Sequence, residues 1–86
     1  MGIKINVPFI LRHIAGNQDS VEVNGKTVRE CMNDLISQFP DSQEWFDDNN
    51  PSVWFVLNQE LVSLKGLDKK VTECDELSLI MILGGG

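Results

Sequence analysis

Positive charge is scarce in this chain: seven Lys and Arg stand against thirteen Asp and Glu, a formal net charge of -6 at pH 7. Affinity for nucleic acid comes from basic side chains that neutralise phosphates, so no nucleic-acid partner is expected and proteins with basic surfaces are favoured. Cysteine is scarce too. Cys31 and Cys74 lie far apart in different contexts, so they form neither a CxxC redox pair nor a four-ligand zinc site, and both read as reduced thiols. The single histidine, His13, has no Ser, Cys or carboxylate pattern around it and reads as a solvated loop residue rather than a catalytic one. Asp47-Asp48 lacks the Gly and Glu of a calcium loop, so no metal is expected there either. No apolar run suits a signal peptide or a membrane span, and the expectation is a soluble, cytoplasmic protein without a membrane partner. Myristoylation at Gly2 is disfavoured because Asn6 stands where Ser or Thr is wanted.

What is present is enough for one folded domain. Apolar residues make up 42% of the 86, and a chain of this size buries roughly 60% of its unfolded surface. In "IKINVPFI", Ile3, Ile5, Val7 and Phe9 alternate with Lys4, Asn6 and Pro8, the period of a half-buried strand. "SVEVNG" repeats the pattern with Val21 and Val23 inward and turns at Asn24-Gly25, which predicts an antiparallel hairpin with a long loop. The period then changes. Val28, Cys31, Met32, Leu35, Ile36 and Phe39 fall on one helical face, Thr27 and Glu30 form a T-x-x-E capping box, and Pro40 ends the helix. Polar residues 40–52 form a loop with a short helical turn pinned by Trp45 and Phe46. "VWFVLNQELVSL" is a strand, a tight turn at Asn58-Gln59 and a short strand, and "LSLIMIL" is the last. The element order is β-β-α-β-β-β.

One helix can cover only one face of the resulting sheet, yet "VWFVL" and "LIMIL" are apolar at both parities. If Leu77, Leu79 and Met81 face the helix, Ile80 and Ile82 face out. An exposed apolar patch on a small protein marks a protein-binding surface. The expected partner face therefore comprises Ile80 and Ile82 with Leu61 and Phe55 on neighbouring strands; the alternative is that segment 40–52 folds over it.

The sequence ends "LIMILGGG", and the stretch "DELSLIMILGGG" from Asp75 runs without a gap in the pattern of the ubiquitin-like sulfur carriers, the MoaD/ThiS family. The chain resembles that family over its whole length, and "NQELVS" also looks like the family's short strand. Two departures stand out: Cys74 replaces a turn glycine, and Met81-Ile82 replaces two prolines common in the MoaD branch. "VPFILRHIAGNQD" resembles the CysO-like carriers through Pro8, Leu11, Arg12 and Gly16. The resemblance implies an α+β, β-grasp (ubiquitin-like) fold: a mixed sheet of four to five strands with one amphipathic helix on one face. Residues 1–83 would be the β-grasp domain and 84–86 a flexible glycine tail.

The same resemblance implies a carrier rather than an enzyme. An E1-like adenylyltransferase would use ATP to form a transient acyl-adenylate on the Gly86 carboxylate, and a sulfur donor or sulfurtransferase would convert it to a thiocarboxylate. Gly84 and Gly85 would thread into partner active sites, because residues without Cβ atoms pass narrow channels. The sulfur would go to a biosynthetic enzyme, a PLP-dependent one in the favoured case of cysteine or homocysteine synthesis. A metalloprotease would be needed if a longer precursor is trimmed. No cofactor is bound permanently. The alternatives are a molybdopterin synthase small subunit, a thiamin thiazole sulfur carrier, and a ubiquitin-like modifier conjugated to lysines. A frayed end of no function is the plain reading of the glycines. Cys74 is the thiol placed to form a thioester or mixed disulfide, with an inert turn thiol as the simpler reading.

Overall fold

Alternation at Ile3 and Ile5 produces the first strand, and the change of period at Thr27 produces the only α-helix among the described residues, so the layers follow from the sequence pattern. The computed structural model describes residues 2–46, 52–62 and 66–81. Its elements are β1 (Ile3–Asn6), β2 (Ser20–Val23), α1 (Val28–Gln38), β3 (Val53–Leu57), β4 (Glu60–Val62) and β5 (Leu77–Met81), with short 3-10 turns at Phe9–Leu11 and Pro40–Phe46. The five strands form one mixed sheet in the order β2-β1-β5-β3-β4. β1 pairs antiparallel with β2 and parallel with β5, whereas β3 pairs antiparallel with both β4 and β5. This is the expected α+β, β-grasp architecture with five strands.

The core lies between α1 and one face of the sheet. Ile5, Val23, Val53, Phe55 and Leu77 from the strands meet Val28, Cys31 and Leu35 from the helix, all fully buried. Met32, Ile36 and Phe39 pack at its edge, so the helical face read from the sequence is the one that is buried. The 3-10 turn after α1 adds Trp45 and Phe46, and the Phe46 ring stacks on Phe55 at 5.3 Å between centroids. That contact places Phe46 on the helix side of the sheet. The described part of segment 40–52 thus packs on the helix face, not over the open one.

The start of α1 differs from the expected capping box. Glu30 N–H donates to Thr27 Oγ1 at 3.2 Å as the box requires, but Glu30 Oε1 accepts from Lys26 N–H at 2.9 Å, one residue before the cap. The reason is the neighbouring loop: Thr27 bridges to Lys70, while Val28 and Arg29 N–H donate to Lys69 and Leu67 carbonyls at 3.0 and 2.8 Å. Backbone carbonyls therefore satisfy donors that a free helix end would leave to water. Gly25 lets this turn close, since a Cβ there would lie 2.8 Å from Cys31 N.

β1 is also shorter than its alternation predicts. It ends at Asn6, Pro8 caps the 3-10 turn, and Phe9 turns out to solvent at 83% exposure instead of continuing the inward row. Proline cannot donate to the ladder, which releases the chain from the sheet at that point. Leu11, in the next turn, takes the buried position.

Candidate functional site

The expected site has two parts, a glycine tail and a partner face. Gly84, Gly85 and Gly86 lie outside the described residues, as does Ile82. The described part of the site is the strand that leads to them. β5 lies between β1 and β3, and its register against β3 pairs Val53 with Met81, Trp54 with Ile80, Phe55 with Leu79, Val56 with Ser78 and Leu57 with Leu77. Leu77 and Leu79 are buried on the helix side, so Ile80 faces the opposite side, as the alternation from Asp75-Glu76 implies.

A compact polar knot holds the start of β5. Asn58 Nδ2 donates to Asp75 Oδ1 at 2.9 Å, Glu76 N–H donates to Asn58 Oδ1 at 2.8 Å, and Asn58 N–H donates to Glu76 O at 2.9 Å. The other Asp75 oxygen accepts from Thr72 N–H at 2.8 Å. These donors favour the ionised form, so the Asp75 carboxyl lies below its ordinary value of 3.8, chiefly through Asn58 and next through the Thr72 backbone. Asn58 and Gln59 both have positive φ, 52° and 74°, the conformation of a two-residue hairpin turn whose twist matches its strands. Cys74 is not among the residues with positive φ, so the turn in which it stands needs no glycine. Its thiol is exposed.

The open face of the sheet is divided. On the β2-β1 side it is polar: Lys4 opposes Glu22, Asn6 opposes Ser20, and Asn6 Nδ2 donates to Ser78 Oγ at 3.3 Å. On the β5-β3-β4 side it is apolar, with Ile80 38% and Leu61 49% exposed beside half-buried Trp54 and Val56. Phe55 does not belong to this face. It is fully buried on the helix side, stacked on Phe46, and its expected place in the partner surface is corrected to Trp54 and Val56. The sequence held the signal. A two-residue turn at Asn58-Gln59 pairs Leu57 with Glu60 and Val56 with Leu61, so an outward Leu61 requires an outward Val56 and an inward Phe55.

Trp54 adds a feature that residue type alone does not reveal. Its Nε1 is the one buried side-chain polar atom without a hydrogen-bond partner among the described residues. Tryptophan N–H groups usually find an acceptor when buried, and none is offered to this one by the described residues.

The reactive groups sort as their surroundings dictate. Cys31 is fully buried in the core, and burial first, then Glu30 and Asp34, pushes its thiol up to about 11. His13 is exposed in the loop. The Glu60 carboxyl lies below its ordinary value of 4.5 because Lys69 hydrogen-bonds and pairs with it. No group of three or more His, Cys, Asp or Glu residues placed to hold a metal occurs among the described residues, and no helix among them is long and apolar enough to cross a membrane.

The 8–16 motif is structural. Arg12 Nε donates to Val7 O at 3.1 Å, Ala15 and Asn17 N–H donate to Arg12 O at 3.0 and 2.7 Å, and Gly16 takes a positive φ of 68°. Leu11 is buried beneath the loop. Gly adopts that φ most readily, so the motif's spacing is the spacing of a tied loop.

The chain is similar to a known family and to several solved structures. The ThiS family model matches residues 5–86. No curated protein matches. A chain of the BexX/CysO complex of Amycolatopsis orientalis is 27% identical with a TM-score of 0.81, the match covering 98% of this chain and 99% of that one. CysO of Mycobacterium tuberculosis is 25% identical with a TM-score of 0.79 over 94% and 99%. Small archaeal modifier protein 1 of Methanosarcina acetivorans, 20% identical with a TM-score of 0.77 over 98% and 95%, is similar in fold.

Proposed function

The chain belongs to the ThiS family of ubiquitin-like sulfur carriers, and from that premise we propose that its working atom is the carboxylate of Gly86, which an E1-like adenylyltransferase activates. A carboxylate is a poor acyl donor at neutral pH. Its oxygen attacks the α-phosphorus of ATP, pyrophosphate leaves, and the acyl-adenylate carries AMP as a good leaving group. A sulfide or persulfide sulfur delivered by a sulfurtransferase then displaces AMP, with reduction of the S–S bond by a thiol where a persulfide is the donor. The product is a thiocarboxylate.

The observation that carries this reading is the position of β5 at the centre of the sheet, ending two residues short of "GGG". A central strand, knotted at its start by Asn58 and Asp75, gives a fixed origin to the residues that follow it. Three residues beyond Leu83 span at most about 10 Å when extended, enough to enter a pocket while the domain stays outside. The carrier supplies no base, metal or oxyanion donor; the apolar half of the open face, Trp54, Val56, Leu61 and Ile80, docks it on the enzymes that do. Sulfur amino-acid synthesis, with a PLP-dependent acceptor, is the pathway favoured by the likeness to CysO chains.

The test is intact mass after incubation with ATP, the adenylyltransferase and a sulfide source. Replacement of one terminal oxygen by sulfur, a gain of about 16 Da, is expected. An unchanged mass, or lysine adducts carrying a Gly-Gly-Gly remnant in native extracts, would overturn the carrier reading.

A further inference from the structure

Of the chain's asparagines, Asn24 is the one that precedes a glycine. Its surroundings also differ from those of the other described asparagines. Asn6 Nδ2 donates to Ser78 Oγ, and the amide that follows, Val7 N–H, donates to Asp19 O at 2.9 Å. Asn17 is followed by Gln18 N–H, which donates to Ala15 O at 3.3 Å. Asn33 and Asp34 lie inside α1, where the helical ladder engages the amides. The Asn58 side chain is held by Asp75 and Glu76. Asn24 is exposed, and neither its side chain nor the Gly25 N–H makes a hydrogen bond among the described residues.

On either side of this open pair the chain is fixed to α1. Asn24 N–H donates to Asp34 Oδ2 at 2.9 Å, and Lys26 N–H donates to Glu30 Oε1 at 2.9 Å. The two acceptors stand one turn apart on the same helix face. Asp34 Oδ2 also accepts from Gln38 Nε2 at 3.1 Å, and that nitrogen donates to Glu22 O at 2.9 Å. Gly25 spans the interval between the anchors in close contact with the helix, since a Cβ on it would lie 2.8 Å from Cys31 N and 2.8 Å from Glu30 Cβ.

We propose that Asn24-Gly25 is a site of spontaneous covalent modification, at which Asn24 deamidates through a cyclic imide to aspartate and isoaspartate and thereby loosens the joint between β2 and α1. The Gly25 nitrogen gives its proton to hydroxide and attacks Asn24 Cγ. That C–N bond forms, the bond from Cγ to the side-chain nitrogen breaks, and ammonia leaves with a proton taken from water, which restores the hydroxide. Water then adds to one of the two ring carbonyls and breaks its bond to the Gly25 nitrogen. Opening at Cγ gives aspartate, and opening at the backbone carbonyl gives isoaspartate. The attack is intramolecular and needs only rotation of a side chain that no described residue holds. Glycine presents no Cβ to obstruct it.

Both products disturb the joint. Aspartate adds a negative charge next to the carboxylate of Asp34, which the residue's own amide contacts. Isoaspartate adds one backbone atom between the amides of residues 24 and 26, so the two no longer match Asp34 and Glu30 in their present register. The inference is independent of the carrier reading and of the tail.

The experiment incubates the folded protein in mildly alkaline buffer beside a synthetic peptide of residues 13–26, the tryptic fragment that ends at Lys26. Peptide mass and fragmentation follow the replacement of –NH2 by –OH and assign it to a residue. Conversion in the folded protein should fall on Asn24, leave Asn17 intact and proceed within about tenfold of the free peptide's rate, because the site needs no opening of the fold. It should yield two products of equal mass that separate by chromatography, and Asn24→Ser should abolish it. The isoaspartate form, isolated from the aged protein, should melt below the unmodified one, with Asn24→Asp, which adds the charge alone, between them. Slower conversion than that in the folded protein while the peptide reacts, or conversion at Asn17 instead, would overturn the site. An isoaspartate form that melts with the unmodified protein would overturn the loosening of the joint.

Discussion

The Asn58 side chain bridges two turns: its amide donates to Asp75 Oδ1 at 2.9 Å and its carbonyl accepts from Glu76 N–H at 2.8 Å. One residue thus closes the β3-β4 hairpin in a positive-φ conformation and fixes the point from which β5 starts. The hydrogen-bonding requirement and the backbone requirement fall on the same position. Asparagine is among the few residues that meet both.

Substitution of Asn58 separates the two requirements. Asn58→Ala loses both side-chain bonds and places a Cβ-bearing residue without local compensation at φ 52°, and should cost about 1–2 kcal/mol in urea unfolding. Asn58→Gly restores the backbone freedom and should recover part of that loss. Equal stability of the two variants would show that the backbone conformation carries no weight.

Asp75 gives this knot a pH dependence. Its folded carboxyl lies below the ordinary 3.8, so the unfolded chain binds the proton more tightly and stability rises with pH through that interval. The wild type should exceed Asp75→Asn by a constant margin above about pH 5, and the margin should shrink as pH falls below 3.8 through the folded value. Glu60, also lowered, by Lys69, acts in the same direction in the wild type and in the variant, and so cancels in the difference. A margin that grows on acidification would contradict this.

The two thiols should separate in a labelling experiment. Exposed Cys74 reacts with a thiol reagent at neutral pH, whereas Cys31, buried and pushed up to about 11, holds almost no thiolate there. One thiol should titrate in the folded protein and the second only on adding denaturant. Two fast-reacting thiols would show that the helix face opens readily.

How far the sequence reached depended on how local each cause was. The helix, the hairpin at Asn58-Gln59 and the inward row of β5 are set by spacing within a few residues, and they stand as read. Phe9 was misplaced because alternation does not report that Pro8 ends the ladder. The Glu30 bond shifted by one residue because a loop forty residues away supplies the helix's first acceptors. The parallel pairing of β1 with β5 joins segments more than seventy residues apart and has no local signature. The tail chemistry proposed for "GGG" rests on resemblance and lies outside the described residues.

Phe55 and Leu61 provide the sharpest test of the corrected partner face, because they sit on paired strands and differ only in which side they occupy. Phe55 is fully buried and stacked on Phe46, so Phe55→Ala should leave a cavity and cost about 3–5 kcal/mol, read as a fall in the urea midpoint. Leu61 is 49% exposed, and Leu61→Ala should alter stability by no more than about 0.5 kcal/mol. Binding should rank them the other way. Leu61→Ala, and more so Leu61→Asp, should weaken association with a tail-receiving enzyme, measured by the carrier KM, while the Phe55 variant should lose activity only in proportion to the fraction unfolded. If Leu61→Asp left KM unchanged, the apolar half of the open face would not be the docking surface. If Phe55→Ala raised KM without loss of stability, its assignment to the core would be wrong, because a side chain sealed beneath the helix can reach a partner only by first opening the fold.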